Sequence, residues 1–272
     1  MNRIDLTFQQ LRSQGRKAFI PFITAGDPDL DMTTRLIGEL SARGACLIEL
    51  GIPYSDPIAD GPVIQASYTS ALEEQIKLDA ILNAVRAFTL SPPHPVTPSP
   101  MVAMVSYAIV FRHGPEEFVR GAKRGGFEGA IVPDLPVEEA DGLAALAAKH
   151  DFKLILLVTP TTPRERAIQI ARTSTGFIYF VSLVGITGER AAIPGAVLDQ
   201  VAWLKTKTDL PICIGFGISH PEHVRMLAPV ADGIIVGSAI VRRVAEAANR
   251  PRDQVVREIG DYVATLIKAL ND

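Results

Sequence analysis

Glu49 stands in the run Leu47-Ile48-Glu49-Leu50, an ionisable side chain inside an otherwise apolar stretch. A carboxylate there is costly to desolvate unless it has partners or a task. If it points into an interior, burial raises its pKa and suits it to proton transfer near neutral pH. A structural carboxylate bonded to backbone groups is the other reading. Asp56 and Asp60 follow on the same segment, ahead of Gly61-Pro62, where a helix is predicted to begin. Either could be a turn residue or a helix N-cap. Two carboxylates on one strand-and-loop unit, Glu49 and Asp60, can also reach one ligand from different sides as an acid and a base with separated pKa values.

A second group of residues suits an anion. Ile214-Gly215-Phe216-Gly217-Ile218-Ser219 and Ile235-Val236-Gly237-Ser238-Ala239 each close an apolar run, and the latter opens a helix. Glycines let backbone approach a phosphate, and helix N-termini offer unpaired N–H groups. Neither motif holds a Lys or Arg, so binding would rest on backbone and helix dipole. Two tight turns are the plainer alternative. Gly185-Ile186-Thr187-Gly188-Glu189-Arg190-Ala191-Ala192 is a glycine-hinged loop with charges at its tip, of the kind that closes over ligands or merely connects. Asp134-Leu135-Pro136-Val137-Glu138-Glu139 reads as an acidic helix start. The five histidines show no metal-ligand spacing. No P-loop, Gly-x-Ser-x-Gly elbow or dinucleotide fingerprint occurs.

These residues must be positioned by elements that the hydropathy pattern reveals. Eight short apolar runs, Ala18–Thr24, Cys46–Leu50, Met101–Tyr107, Gly129–Val132, Leu154–Val158, Phe177–Val181, Pro211–Ile214 and Gly233–Val236, mostly lack polar alternation. Strands buried on both faces read this way. Helical segments are predicted between them: Leu30–Arg43, Leu72–Phe88, Glu116–Arg124, Val137–His150, Arg164–Arg172, Ala196–Lys205, Pro221–Leu227 and Ser238–Ala248. Ile4–Gln14 precedes the set and Gln254–Leu270 ends it. Strict strand–helix alternation predicts an α/β fold, a single (β/α)8 TIM barrel over residues 1–272 with one extra helix at each terminus. The runner-up, a doubly wound open sheet, usually carries a glycine-rich nucleotide loop after its first strand. Thr24-Ala25-Gly26-Asp27-Pro28 is no such loop. In a barrel, Glu49 and both glycine motifs fall at strand C-termini, where active sites form. The proline-rich Ser91–Pro100 reads as a stiff surface loop.

Composition narrows the function classes. The 272 residues carry 27 Lys and Arg against 30 Asp and Glu, a net charge of −3, with one Trp. That argues against a basic or stacking nucleic-acid surface. No apolar run approaches the ~20 residues of a membrane span, and the first residues lack an apolar signal core. Cys46 and Cys213 sit in apolar runs, as reduced thiols of a cytoplasmic protein do.

The run IELGIPYSDPIADG, Ile48–Gly61, resembles the signature of the tryptophan synthase alpha subunit. The likeness extends over nearly the whole chain through Phe19–Asp29, Val132–Glu139, Thr159–Thr162, Val184–Gly188, Gly215–Ser219 and Gly237–Val241, in family order. The resemblance implies retro-aldol cleavage of indole-3-glycerol phosphate to indole and D-glyceraldehyde 3-phosphate, without cofactor or metal, late in L-tryptophan biosynthesis. It implies Glu49 as general acid and base and Asp60 at the indole N–H. Phe22, Ile131, Tyr179 and Phe216 would line the indole slot, and Thr187 would couple loop closure to Asp60. Gly188, Gly217, Gly237 and Ser238 would hold the phosphate. The implied partner is a pyridoxal-phosphate-dependent beta subunit in an αββα complex, with the loops near strands two, three and six facing it. Met104-Val105-Ser106-Tyr107-Ala108 departs from the family's Met-Thr-Tyr-Tyr-Asn pattern, and the Ser91–Pro100 segment is longer than usual. A stand-alone lyase releasing free indole, a non-catalytic activating subunit, and a different phosphate-binding barrel are the competing readings.

Overall fold

The computed structural model describes residues 1–57, 60–91, 97–182, 195–215, 217–246 and 250–272. Its strands are β1 (Ala18–Thr24), β2 (Ile48–Gly51), β3 (Met101–Met104), β4 (Phe127–Ile131), β5 (Lys153–Ile155), β6 (Leu157–Val158), β7 (Ile178–Val181), β8 (Ile212–Gly215) and β9 (Gly233–Val236). All pair in parallel, in the order β5-β4-β3-β2-β1-β9-β8-β7-β6. β5 and β6 are one stretch of chain interrupted at Leu156. β5 pairs with β4 and β6 with β7, so this stretch closes the sheet into a (β/α)8 barrel. The predicted strand Leu154–Val158 thus divides, because its two halves serve different neighbours.

Between the strands run α1 (Arg3–Ser13), α2 (Leu30–Ala42), α3 (Pro62–Glu73), α4 (Leu78–Leu90), α5 (Tyr107–His113), α6 (Pro115–Arg124), α7 (Asp141–Lys149), α8 (Arg164–Thr173), α9 (Gly195–Lys205), α10 (Pro221–Leu227), α11 (Ser238–Ala245) and α12 (Arg252–Asn271). Asp29 caps α2 by accepting from Met32 N at 2.8 Å, as its place before the helix predicts.

Four expectations need correction. Leu72–Phe88 is not one helix. The chain breaks between α3 and α4, with Gln75 at φ +55°. Ile76, part of the predicted stripe, instead packs against Gly26, whose φ of +82° and missing Cβ leave the room. Val137–His150 divides into a 3-10 turn, Val137–Glu139, and α7. The predicted strand Met101–Tyr107 ends at Met104, and α5 follows with Ser106 as its N-cap. Asp134 does not cap the turn that follows it. Its carboxylate accepts from Tyr107 N at 2.7 Å and Ser106 Oγ at 2.6 Å, and so serves the start of α5.

Apolar residues fill two shells. The outer lies between sheet and helices, as Phe19, Ile23, Leu50, Phe127 and Phe180 do. The inner fills the barrel with Ile20, Phe22, Val102, Met104, Ile131, Ile155, Tyr179 and Ile235. α1 plugs the N-terminal end. Phe8 meets Phe177 with ring centroids 5.8 Å apart, and Asp5 pairs with Lys153 at 2.6 Å. The opposite end stays free for a site. Among the described residues, no helix is long and apolar enough to cross a membrane.

Candidate active site

β1 and β2 place Phe22 beside Glu49 in register, and β3 places Val102 on Glu49's other side. Glu49 therefore sits in an interior row of the barrel, only 1% exposed. Neither carboxylate oxygen has a hydrogen-bond partner. The structural reading of Glu49, a carboxylate satisfied by backbone, does not hold. Desolvation first, and the nearby Asp60 charge second, raise its pKa to about 8. It carries a proton at neutral pH.

Asp60 is half-buried at the end of the β2–α3 loop. It is not the cap of α3, since Gly61 occupies that position and makes no side-chain cap bond. Its Oδ2 is buried and unpartnered. Desolvation raises its pKa to about 6, against the pull of a hydrogen bond from Tyr54. Asp56 is exposed and accepts from Ser55 Oγ at 3.2 Å, away from this arrangement. The two carboxyl groups thus have different protonation ranges because one is fully enclosed and the other has a phenol and partial solvation.

Both face one cavity, with about 750 Å³ of empty space including its open mouth. Phe22 and Tyr179 contribute aromatic walls, and Met104, Ile64 and Ile235 add aliphatic ones. At the far side lie Gly217, Gly237 and Ser238, the last at the N-terminus of α11. A planar apolar ring fits between the aromatic walls, and an anion fits against the helix end. A neighbouring hollow shares Asp60, Met104 and Tyr179 and extends to Thr159 and Arg166.

Seven of the residues proposed from the sequence therefore meet at one cavity: Phe22, Glu49, Asp60, Tyr179, Gly217, Gly237 and Ser238. Ile131 lies deeper, in register with Met104 and Ile155 in the barrel interior. Phe216, Thr187, Gly188 and the rest of the 185–192 loop lie outside the described residues. Sequence reasoning missed three residues here. Arg242, one turn beyond Ser238 on α11, lines the cavity and adds the cation that the glycine motifs lack. Helical spacing from Ser238 could have found it. Tyr54 donates to Asp60, and Tyr68 stands behind Tyr54 with ring centroids 5.5 Å apart. Tyr54 stands inside the IPYSDP motif, whereas Tyr68 gives no signal in the chain, because α3 reaches the site only by packing. α3 is held there by Asp27 of the β1–α2 loop, which accepts from the Ser67 and Ser70 hydroxyls.

The model of the family described as tryptophan synthase alpha chain matches residues 8–269. The chain belongs to the tryptophan synthase alpha chain family. The alpha chain of Rhodopirellula baltica is 49% identical over 278 residues, covering 100% of this chain and 99% of that protein. That of Caldanaerobacter subterraneus is 43% identical over 270 residues, covering 99% and 100%. The crystal structure of tryptophan synthase subunit alpha from Legionella pneumophila superposes with a TM-score of 0.89 at 36% identity, covering 99% of this chain and 98% of that one. A chain of the M. tuberculosis tryptophan synthase, in an aminoacrylate- and BRD0059-bound form, gives 0.86 at 28%, covering 100% and 99%. As a tryptophan synthase alpha chain the protein is a lyase of tryptophan biosynthesis. It catalyses the alpha reaction, in which indole-3-glycerol phosphate yields indole and glyceraldehyde 3-phosphate, and the family implies a beta-subunit partner.

Proposed function

We propose that Glu49 moves the proton of this reaction and that Asp60 steadies the charge it creates. Cleavage is a retro-aldol step. The bond between indole carbon 3 and the side chain breaks only after carbon 3 gains a proton, which turns the ring nitrogen into an iminium-like electron acceptor. The side-chain hydroxyl then loses its proton as the carbon–oxygen double bond of the aldehyde forms. The electrons of the broken bond return to the ring, and indole leaves. Substrate and products balance with one hydrogen moved from oxygen to carbon, so the step needs neither oxidant nor reductant. Glu49, protonated at neutral pH, gives that proton and takes it back from the hydroxyl. Asp60, ionised above about pH 6, accepts from the indole N–H as positive charge develops.

Phe22 and Tyr179 sandwich the ring above Ile131, with Phe216 completing the slot, and Thr187 couples closure of its loop to Asp60. Gly217, Gly237, Ser238 and Gly188 receive the phosphate, with Arg242 adding attraction from the rim. The chain acts as one barrel domain of residues 1–272, without cofactor or metal of its own. It works in the cytoplasm, in an αββα complex whose beta subunit carries pyridoxal phosphate.

The observation that carries this reading is the pair of carboxyl groups on the wall of a single cavity, Glu49 with both oxygens and Asp60 with Oδ2 buried and unpartnered. The deciding experiment is release of indole from indole-3-glycerol phosphate by the purified chain, with and without a beta subunit. Slow release alone and faster release in the complex supports the reading. No release in either case refutes it.

A further inference from the structure

Tyr68 has no part in the reaction as described so far, yet its placement is costly. The ring is fully buried in the inner shell, 0% exposed, and its hydroxyl has no hydrogen-bond partner. A Phe would fill the same space without leaving a buried donor unpaired. The oxygen sits against the backbone at the end of β2: a Cβ placed on Gly51 would lie 2.6 Å from it. Gly51 is two residues beyond Glu49 and pairs in register with Thr24.

The neighbourhood is just as unusual. Among the described residues, seven buried side-chain polar atoms lack partners. Five of them are Thr24 Oγ1, both Glu49 oxygens, Asp60 Oδ2 and Tyr68 Oη. These belong to β1, to β2, to the loop that leads into α3 and to α3 itself. The fold therefore concentrates unspent hydrogen-bonding capacity at one place. An ionised carboxylate can accept several hydrogen bonds at once, and donors to it favour the charged form. Tyr54 already acts on Asp60 in this way.

We propose that Tyr68 is a positioning residue for Asp60, its hydroxyl donating to Oδ2 when substrate draws the carboxylate inward, so that the Tyr54 and Tyr68 phenols hold the ionised group from two sides. This rests on the proposed role of Asp60 at the indole N–H. The other groups that face Asp60 do not replace this donor. Glu49 from β2 carries a proton at neutral pH, and Tyr179 from β7 shares the cavity wall. Asp134 acts on Tyr54 from beyond β4. Arg242 from α11 and Arg166 from α8 line the same hollows. Burial first, and the nearby Asp60 charge next, hold the Tyr68 phenol protonated.

The test is Tyr68→Phe in the full chain, with kcat and its pH profile, which reports the substrate complex, KM for indole-3-glycerol phosphate and the urea midpoint measured together. The expected result is a kcat lower by about tenfold, KM within about twofold, and a urea midpoint equal to or above that of the parent. The acid limb of the profile should move up by about half a unit or more, because losing a donor to the ionised form raises the Asp60 pKa. An unmoved acid limb overturns the proposal, whatever happens to kcat or to the midpoint. In an Asp60→Asn background the same substitution should change kcat by less than about twofold, and a full tenfold loss there also overturns it. A parent chain that releases no indole would instead overturn the role given to Asp60, which separates the two failures.

Discussion

Glu49 keeps its proton to about pH 8 because nothing in its surroundings stabilises the charge, whereas Asp60 loses its proton near 6 with a phenol beside it. Cleavage needs the first protonated and the second ionised, so kcat/KM should rise through about pH 6 and fall through about pH 8. A flat profile between pH 5 and 9 counts against the assignment. Glu49→Gln should lower kcat by about 10²–10⁴-fold while substrate affinity, read by calorimetry, stays within about tenfold. The same substitution has a stability signature. A carboxyl group whose folded pKa is raised is carried without penalty below its unfolded pKa, and the fold loses stability as pH climbs from there to the folded value. The parent should therefore weaken between about pH 4.5 and 8, and Glu49→Gln should remove that contribution. Urea midpoints of both proteins at pH 5 and pH 8 read it directly. Ser238→Ala should weaken phosphate binding by about 1 kcal/mol, as one neutral hydrogen bond would. An unchanged dissociation constant argues that Ser238 does not hold the phosphate.

At the level of elements, the two ends of the barrel do different work. α1 and the lower inner shell are concerned with closing the cylinder, so Phe8→Ala should cost about 3–5 kcal/mol of stability without altering kcat in the protein that remains folded. Denaturant titration and turnover on the same sample check this, and a large fall in kcat would mean the plug communicates with the mouth. At the upper end β2 has no slack. A Cβ on Gly51 would lie 2.5 Å from Phe22 Cζ and 2.6 Å from Tyr68 Oη, closer than real contacts allow. Gly51→Ala should displace the aromatic wall and depress cleavage more than it depresses the thermal midpoint. The helix boundary at residues 74–77 was not legible in the hydropathy stripe, because Ile76 is apolar for a loop reason, its contact with Gly26. α5 was hidden for a similar reason: its cap, Ser106, takes its anchor from Asp134, on the loop that follows the neighbouring strand β4.

At the scale of the whole molecule, few large apolar side chains are exposed among the described residues, and one of them, Phe111 on α5, is 69% exposed beside Tyr107. α5 follows β3, on the side proposed to meet the beta subunit. Phe111→Glu should leave the slow turnover of the isolated chain unchanged and reduce its stimulation by added beta subunit. Full stimulation of the variant would move the contact surface elsewhere.

The alternation of strands and helices, the closed parallel sheet and the two acidic residues, Glu49 on β2 and Asp60 on the loop after it, were readable along the chain, whereas α5 and the break between α3 and α4 were not. The readable features follow from local signals: unbroken apolar runs, helical periodicity, and a motif in which Glu49 and Asp60 are near neighbours in sequence. The polar surroundings of Asp60 were not readable. Tyr68 lies close enough to feel its charge because Asp27 anchors α3 through Ser67 and Ser70, and Arg242 joins the cavity because α11 starts where β9 ends. Whether Glu49 would be satisfied by backbone or left bare was likewise settled only by the packing of β1, β2 and β3 around it. Spacing along a strand sets which face a side chain takes, but desolvation depends on everything that encloses it, and that is a property of the closed barrel alone.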